Sequence, residues 1–110
     1  MRKGYGYRMT ERESHNIAVM KQKIFMRDGY TCQNCGGSIY AYSFPQLAHC
    51  IAATVSNIRK YGKEVINHPD NMKSVCCLTC NDAMNIGFST MQANELANKI
   101  NESIENAITN

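Results

Sequence analysis

Tryptophan is absent from the 110 residues, and aromatic side chains make up only 8% of them. A chain of this length is one domain. By size scaling it buries roughly 65% of its unfolded surface, so its core is thin. No apolar run approaches the roughly 18–20 residues that a membrane span needs, and membrane contact is not expected. Behind the basic start Met1-Arg2-Lys3 there is no apolar h-region, so the expectation is a cytoplasmic protein without a secretory leader. Repeats and low-complexity tracts are also missing. What is present, 44% hydrophobic and 19% charged residues, fits a globular rather than a disordered chain.

Charge is unevenly placed. Up to Arg27, seven basic residues (Arg2, Lys3, Arg8, Arg12, Lys21, Lys23, Arg27) stand against Glu11 and Glu13. From Ser89 onward, Lys99 stands against Glu95, Glu102 and Glu105. A basic N-terminal part suits a polyanionic partner such as nucleic acid; a solvated face is the plainer explanation.

Hydrophobic spacing divides the chain into four stretches. Ile17, Met20, Ile24 and Phe25 recur at helical intervals and predict a helix over residues 10–27, stopped by Asp28-Gly29. Residues 28–87 follow as a core region. It opens with a Cys- and Gly-containing loop over 30–39 and a strand over 46–51. A helical turn over 56–61, a turn at Pro69-Asp70-Asn71, a strand over 72–77 and a short helix over 78–86 ending at Gly87 complete it. The tail, residues 89–108, opens with a Ser89–Gln92 capping box. It carries Leu96, Ile100, Ile104 and Ile108 beside Ala93, Ala97 and Ala107, one broad apolar stripe. That stripe packs on the domain's own core or forms a homodimer interface.

Six cysteines without an export route point to metal rather than disulfides. Cys32-Gln33-Asn34-Cys35 and Cys77-Leu78-Thr79-Cys80 are two C-x-x-C pairs, and together they supply the four thiolates of a closed tetrahedral zinc site. Gly36-Gly37 lets the backbone fold back near the sulfurs. Cys76 is an alternative to Cys77, through a C-x-x-x-C pair with Cys80. Cys50 has no local partner and is expected to pack as an apolar residue.

Three polar residues then occur in order: His49 after Ala48, Asn71 after Asp70, and Asn81 directly after Cys80. With Arg27-Asp28-Gly29-Tyr30-Thr31-Cys32-Gln33-Asn34-Cys35-Gly36 upstream, the stretch from Arg27 to Asn85 resembles the HNH endonuclease family. The third-position Asn is similar to the variant in phage junction-resolving nucleases and some homing nucleases. The resemblance implies an α+β fold, a small zinc-bound ββα-metal core flanked by N- and C-terminal helices. It implies a metal-dependent endonuclease that hydrolyses DNA phosphodiester bonds. His49 would be the general base, Asn71 a brace that orients it, and Asn81 a ligand of a catalytic Mg²⁺ or Mn²⁺. Asn85, four residues after Asn81, shares its helix face and is a second candidate ligand. Where many family members carry Asp or His before the base, this chain has Ala48. Arg59, Lys60 and Lys63, in the connection between His49 and Asn71, are candidate DNA contacts. The alternative is a catalytically inactive zinc-ribbon module that binds nucleic acid; a third reading is a structural zinc protein.

Overall fold

The computed structural model describes residues 10–42, 44–87 and 89–109. Arg2, Lys3 and Arg8 of the basic N-terminal part lie outside the described residues.

Helix α1 (Glu11–Arg27) starts where its sequence provides a cap. The Thr10 hydroxyl accepts the Glu13 N–H at 3.1 Å, and the Glu13 carboxylate accepts the Thr10 N–H at 3.0 Å. This reciprocal pair satisfies two donors that a helix start otherwise leaves open, an arrangement of about 1 kcal/mol. Ile24 and Phe25 are buried, while Ile17 and Met20 are half-covered. The helix ends at Asp28, and the chain reverses through two left-handed residues, Gly29 (φ 64°) and Tyr30 (φ 56°).

Strand β1 (Gln46–His49) pairs antiparallel with β2 (Met72–Val75), with Ala48 opposite Lys73 and His49 opposite Met72. Their connection holds α2 (Val55–Tyr61), α3 (Lys63–Ile66) and a 3₁₀ turn at Pro69–Asn71. Helix α4 (Leu78–Ala83) then packs back on β1, and α5 (Thr90–Thr109) closes the chain. The α+β class is therefore observed. Among the described residues, no helix is long and apolar enough to cross a membrane.

Each element of the hairpin is shorter than hydrophobic patterning suggests. Strand β1 stops at His49 because the Asn71 side chain occupies both backbone groups of Ile51. Strand β2 stops at Val75 because Cys76 and Cys77 turn toward the other cysteines. Helix α4 stops at Ala83 because the Ile86 N–H returns to the Cys50 carbonyl at 2.8 Å. Helix α3 was not expected at all. Gly62, with φ 89°, breaks the chain between α2 and α3 where no L side chain sits easily.

Two apolar clusters flank the hairpin. One joins Ile51, Val65 and Ile66 to Ala93, Ala97 and Ile100 of α5, so the tail's stripe packs on its own chain. The other is Cys32, Ala48, Val75, Cys76 and Cys80. Arg27 fastens α1 to this unit: its guanidinium donates to the Pro69 carbonyl at 3.0 Å and the Met72 carbonyl at 2.8 Å, and pairs with Asp28. Burial works against the Asp28 carboxylate, but Arg27 and the Ser74 N–H hold its pKa below the ordinary range. Arg27 is thus structural, not part of a free basic face.

Candidate functional site

The cysteine loop after α1 is a tight knuckle. The Cys32 N–H donates to the Gly37 carbonyl at 2.7 Å, the Gly36 N–H to the Cys32 carbonyl at 2.9 Å, and the Cys35 N–H reaches the Cys32 sulfur at 3.5 Å. Gly36 takes φ 81°, which an L side chain resists. The Gln33 N–H bonds the Ser74 carbonyl at 2.8 Å, which ties the knuckle to β2. Burial pushes the Cys32 thiol up, but the N–H groups of Cys35, Asn34 and Cys76 more than compensate and hold it at about 6. A thiolate is what zinc binds.

The sulfurs of Cys32, Cys35, Cys76 and Cys80 all lie within 4.8 Å of one another. Cys35 to Cys76 is 3.7 Å and Cys76 to Cys80 is 3.9 Å. Four sulfurs at Zn–S of about 2.3 Å on a tetrahedron stand about 3.8 Å apart, so the donor set fits zinc. The close set contains Cys76, the alternative, where the spacing favoured Cys77. The reason is local: Cys77 takes the extended, half-buried position ahead of α4, while Cys76, in the bend after β2, is buried with its sulfur 3.9 Å from that of Cys80. Cys77 remains a fifth sulfur, 3.8 Å from Cys76. The N–H of Cys80, then burial working the other way, then that of Thr79, act on its thiol, with a net downward shift. Burial and the surrounding thiols push Cys76 up, a cost that a bound cation removes when the proton leaves.

Cys50 is buried, as expected for an apolar role, and burial raises its thiol pKa.

Asn71 is fully buried. Its Oδ1 accepts the Ile51 N–H at 2.8 Å, and its Nδ2 donates to the carbonyls of Ile51 (3.1 Å) and Ile66 (2.8 Å). Its own carbonyl accepts the Cys50 N–H at 2.8 Å. Asn71 therefore locks Cys50 and Ile51, the two residues that follow His49 at the end of β1. Burial lowers the His49 pKa below its ordinary 6.5, and a side-chain hydrogen bond that the ring donates to Asn67 offsets part of that shift. Its Nε2 is buried without a hydrogen-bond partner among the described residues. Asn67 also lines an open cavity of about 220 Å³ with Glu13, Asn16, Ile17 and Met20 of α1. Sequence reading missed Asn67. Its only signal is position, since it ends α3 and its backbone N–H closes on Lys63.

Asn81 stands in the first turn of α4, and its Nδ2 donates to Gln46 Oε1 at 2.8 Å and weakly to the Leu47 carbonyl at 3.4 Å. The structure thus ties it to the start of β1, with His49 at the other end of that strand. Asn85 is exposed, and its Oδ1 accepts the Gly87 N–H at 2.6 Å. Its oxygen is used locally, and α4 has already ended, so the expected common helix face with Asn81 is not formed. Ala48 is buried against the cysteines and offers no ligand. Arg59 and Lys60 are exposed in the last turn of α2, with the Lys60 ammonium 5.1 Å from the centre of the Tyr61 ring; Lys63 is exposed at the start of α3.

The chain matches no family model, no curated protein and no solved structure. Any functional reading therefore stands on the site itself.

Proposed function

We propose that this chain is a zinc-stabilised HNH-type endonuclease that hydrolyses DNA phosphodiester bonds, with a ββα-metal core made of β1, β2 and α4. The observation that carries the reading is His49 Nε2, a buried nitrogen without a partner among the described residues, beside the Asn71 clamp. Unpaired buried polar atoms are rare in native proteins, and catalysis is one of the few reasons to keep one. Burial keeps the imidazole neutral at pH 7, so Nε2 is able to take a proton from an attacking water. Asn71 keeps the backbone at Ile51 fixed, and with it the end of the strand that carries His49. Asn67 positions the ring.

Zinc is the structural ion, and the four close cysteines hold it. For the Mg²⁺ or Mn²⁺ of the HNH reading, the expected set supplies Asn81, whose Oδ1 accepts no hydrogen bond among the described residues, while Asn85 uses its oxygen on Gly87. Such an ion would supply Lewis-acid stabilisation of phosphate charge, with its other ligands from water and substrate. Exposed Arg59, Lys60 and Lys63 are the proposed phosphate contacts.

The burial of Ala48 favours a second reading, a zinc-bound module that binds nucleic acid without cutting it. Nicking of supercoiled plasmid with added Mg²⁺ or Mn²⁺ separates the two. The parent should nick, and His49→Ala should lose about 10²–10⁴-fold in rate while keeping its zinc and its melting temperature. A parent that binds DNA and never cuts it leaves the binding module; a His49→Ala variant that cuts at the parent rate removes His49 from the chemistry.

A further inference from the structure

Four of the nine aromatic residues, Tyr30, Tyr40, Tyr42 and Phe44, fall around the cysteine knuckle, and all four are exposed: 40%, 57%, 63% and 78%. A chain this poor in rings would ordinarily bury them, since each ring brings 150–250 Å² of apolar surface to a core. Here the fold holds them outward. The isolated bridge between Thr31 and Ser38, with the Ile39 N–H on the Tyr30 carbonyl at 3.0 Å, brings Tyr30 beside Tyr40. Their rings lie 6.2 Å apart at an interplanar angle of 27°, a stacked pair. Tyr30 does this from a left-handed backbone, φ 56°, which a bulky residue rarely adopts and glycine would take without strain. Along the sequence, residues 29 to 63 hold no Asp or Glu, while Arg59, Lys60 and Lys63 are present.

We infer that Tyr30, Tyr40, Tyr42 and Phe44 form a stacking platform for unpaired bases, so that this protein engages DNA with a single-stranded or melted stretch. The inference deepens the nuclease reading by naming its substrate class. Flat exposed rings in an acid-free segment suit a base, which offers a π-face next to a phosphate whatever its identity. The rings of a paired duplex base are covered by its neighbours, so the platform discriminates by strandedness, not sequence.

Equilibrium binding to zinc-loaded protein, at fixed salt and without Mg²⁺ or Mn²⁺, tests this independently of cleavage. Three labelled probes of equal length are compared: oligo(dT), an abasic oligodeoxynucleotide with the same phosphates, and a duplex. Stacking contributes about 5-fold to about 140-fold per base. Oligo(dT) should therefore bind at least about ten-fold more tightly than the abasic strand, and more tightly than the duplex. The combined Tyr40→Leu, Tyr42→Leu and Phe44→Leu variant should remove that preference while leaving abasic affinity unchanged. If that variant loses zinc or folding, ultraviolet crosslinking of 5-iodouracil-substituted oligonucleotide to the parent decides: crosslinks within residues 30–44 support the platform, and crosslinks only elsewhere overturn it. Equal affinity of the parent for oligo(dT) and the abasic strand also overturns it. A parent that prefers oligo(dT) but never cuts refutes hydrolysis and leaves the platform standing. A parent that nicks plasmid without that preference does the reverse.

Discussion

Asn71→Ala should be the most costly single uncharged substitution in the hairpin. The side chain is 0% exposed, and its loss strands three buried backbone groups: the Ile51 N–H, the Ile51 carbonyl and the Ile66 carbonyl. A buried group left without its partner costs about 1–3 kcal/mol. The two isoleucines share one clamp and relax together, so roughly 3–5 kcal/mol is expected rather than the full sum. That is a large part of the roughly 5–15 kcal/mol by which a domain is stable. At roughly 4 °C per kcal/mol for a chain of this size, melting should fall by about 12–20 °C. Asn71→Asp separates hydrogen bonding from packing, because it keeps the shape and the acceptor but turns the donor into a carboxylate facing two carbonyls. Burial and those carbonyls raise its folded pKa above the unfolded value of about 3.9. Its penalty relative to the parent should therefore shrink below about pH 4 and grow as pH rises through the folded value. The assay is thermal and denaturant unfolding of the zinc-loaded chains, followed by circular dichroism across pH. An Asn71→Ala protein that melts within about 2 °C of the parent would refute the clamp as argued, since two or more buried groups would then have found other partners.

Zinc removal by a strong chelator should unfold the chain cooperatively, because a structural zinc contributes on the order of 10 kcal/mol, comparable with total stability; unchanged circular dichroism in zinc-free protein would count against the site. Cys76→Ser should lower zinc content and melting temperature more than Cys77→Ser, as the 4.8 Å set contains only the former; the reverse ranking returns the fourth ligand to Cys77. The acid limb of the cleavage profile should lie below pH 6.5, since burial lowers the His49 pKa from that value. By linkage, the same group contributes stability above its unfolded pKa and loses it as pH falls through the lower folded value. A half-maximal rate above pH 6.5 that disappears in His49→Gln would contradict the burial argument.

Spacing along the chain determined what depends on neighbours within one or two turns. The capped helix over residues 11–27 follows from Thr10, Glu13 and the recurring apolar positions. The self-packed stripe of α5 follows from Ala93, Ala97 and Ile100, and the gathering of cysteines able to hold a metal ion from their paired spacing. The order His49, Asn71, Asn81 was equally legible, because order is a property of sequence. Contacts between distant residues were not. The choice of Cys76 over Cys77 depends on where β2 ends against the knuckle: both sulfurs turn toward the cluster, but only that of Cys76 comes within 4.8 Å of all three others. The commitment of Asn85 to Gly87 and the burial of Ala48 thin the ligand set in a way that helical periodicity misses, because α4 ends at Ala83. Arg27 counted as one more basic charge until the fold set two carbonyls, 42 and 45 residues away, within its reach. Asn67 had no motif to mark it, and only the tertiary fold brings it to His49, 18 positions earlier in the sequence. Local propensity is written in short windows of sequence, whereas a side chain's partner is set by which backbone the collapsed core delivers to it.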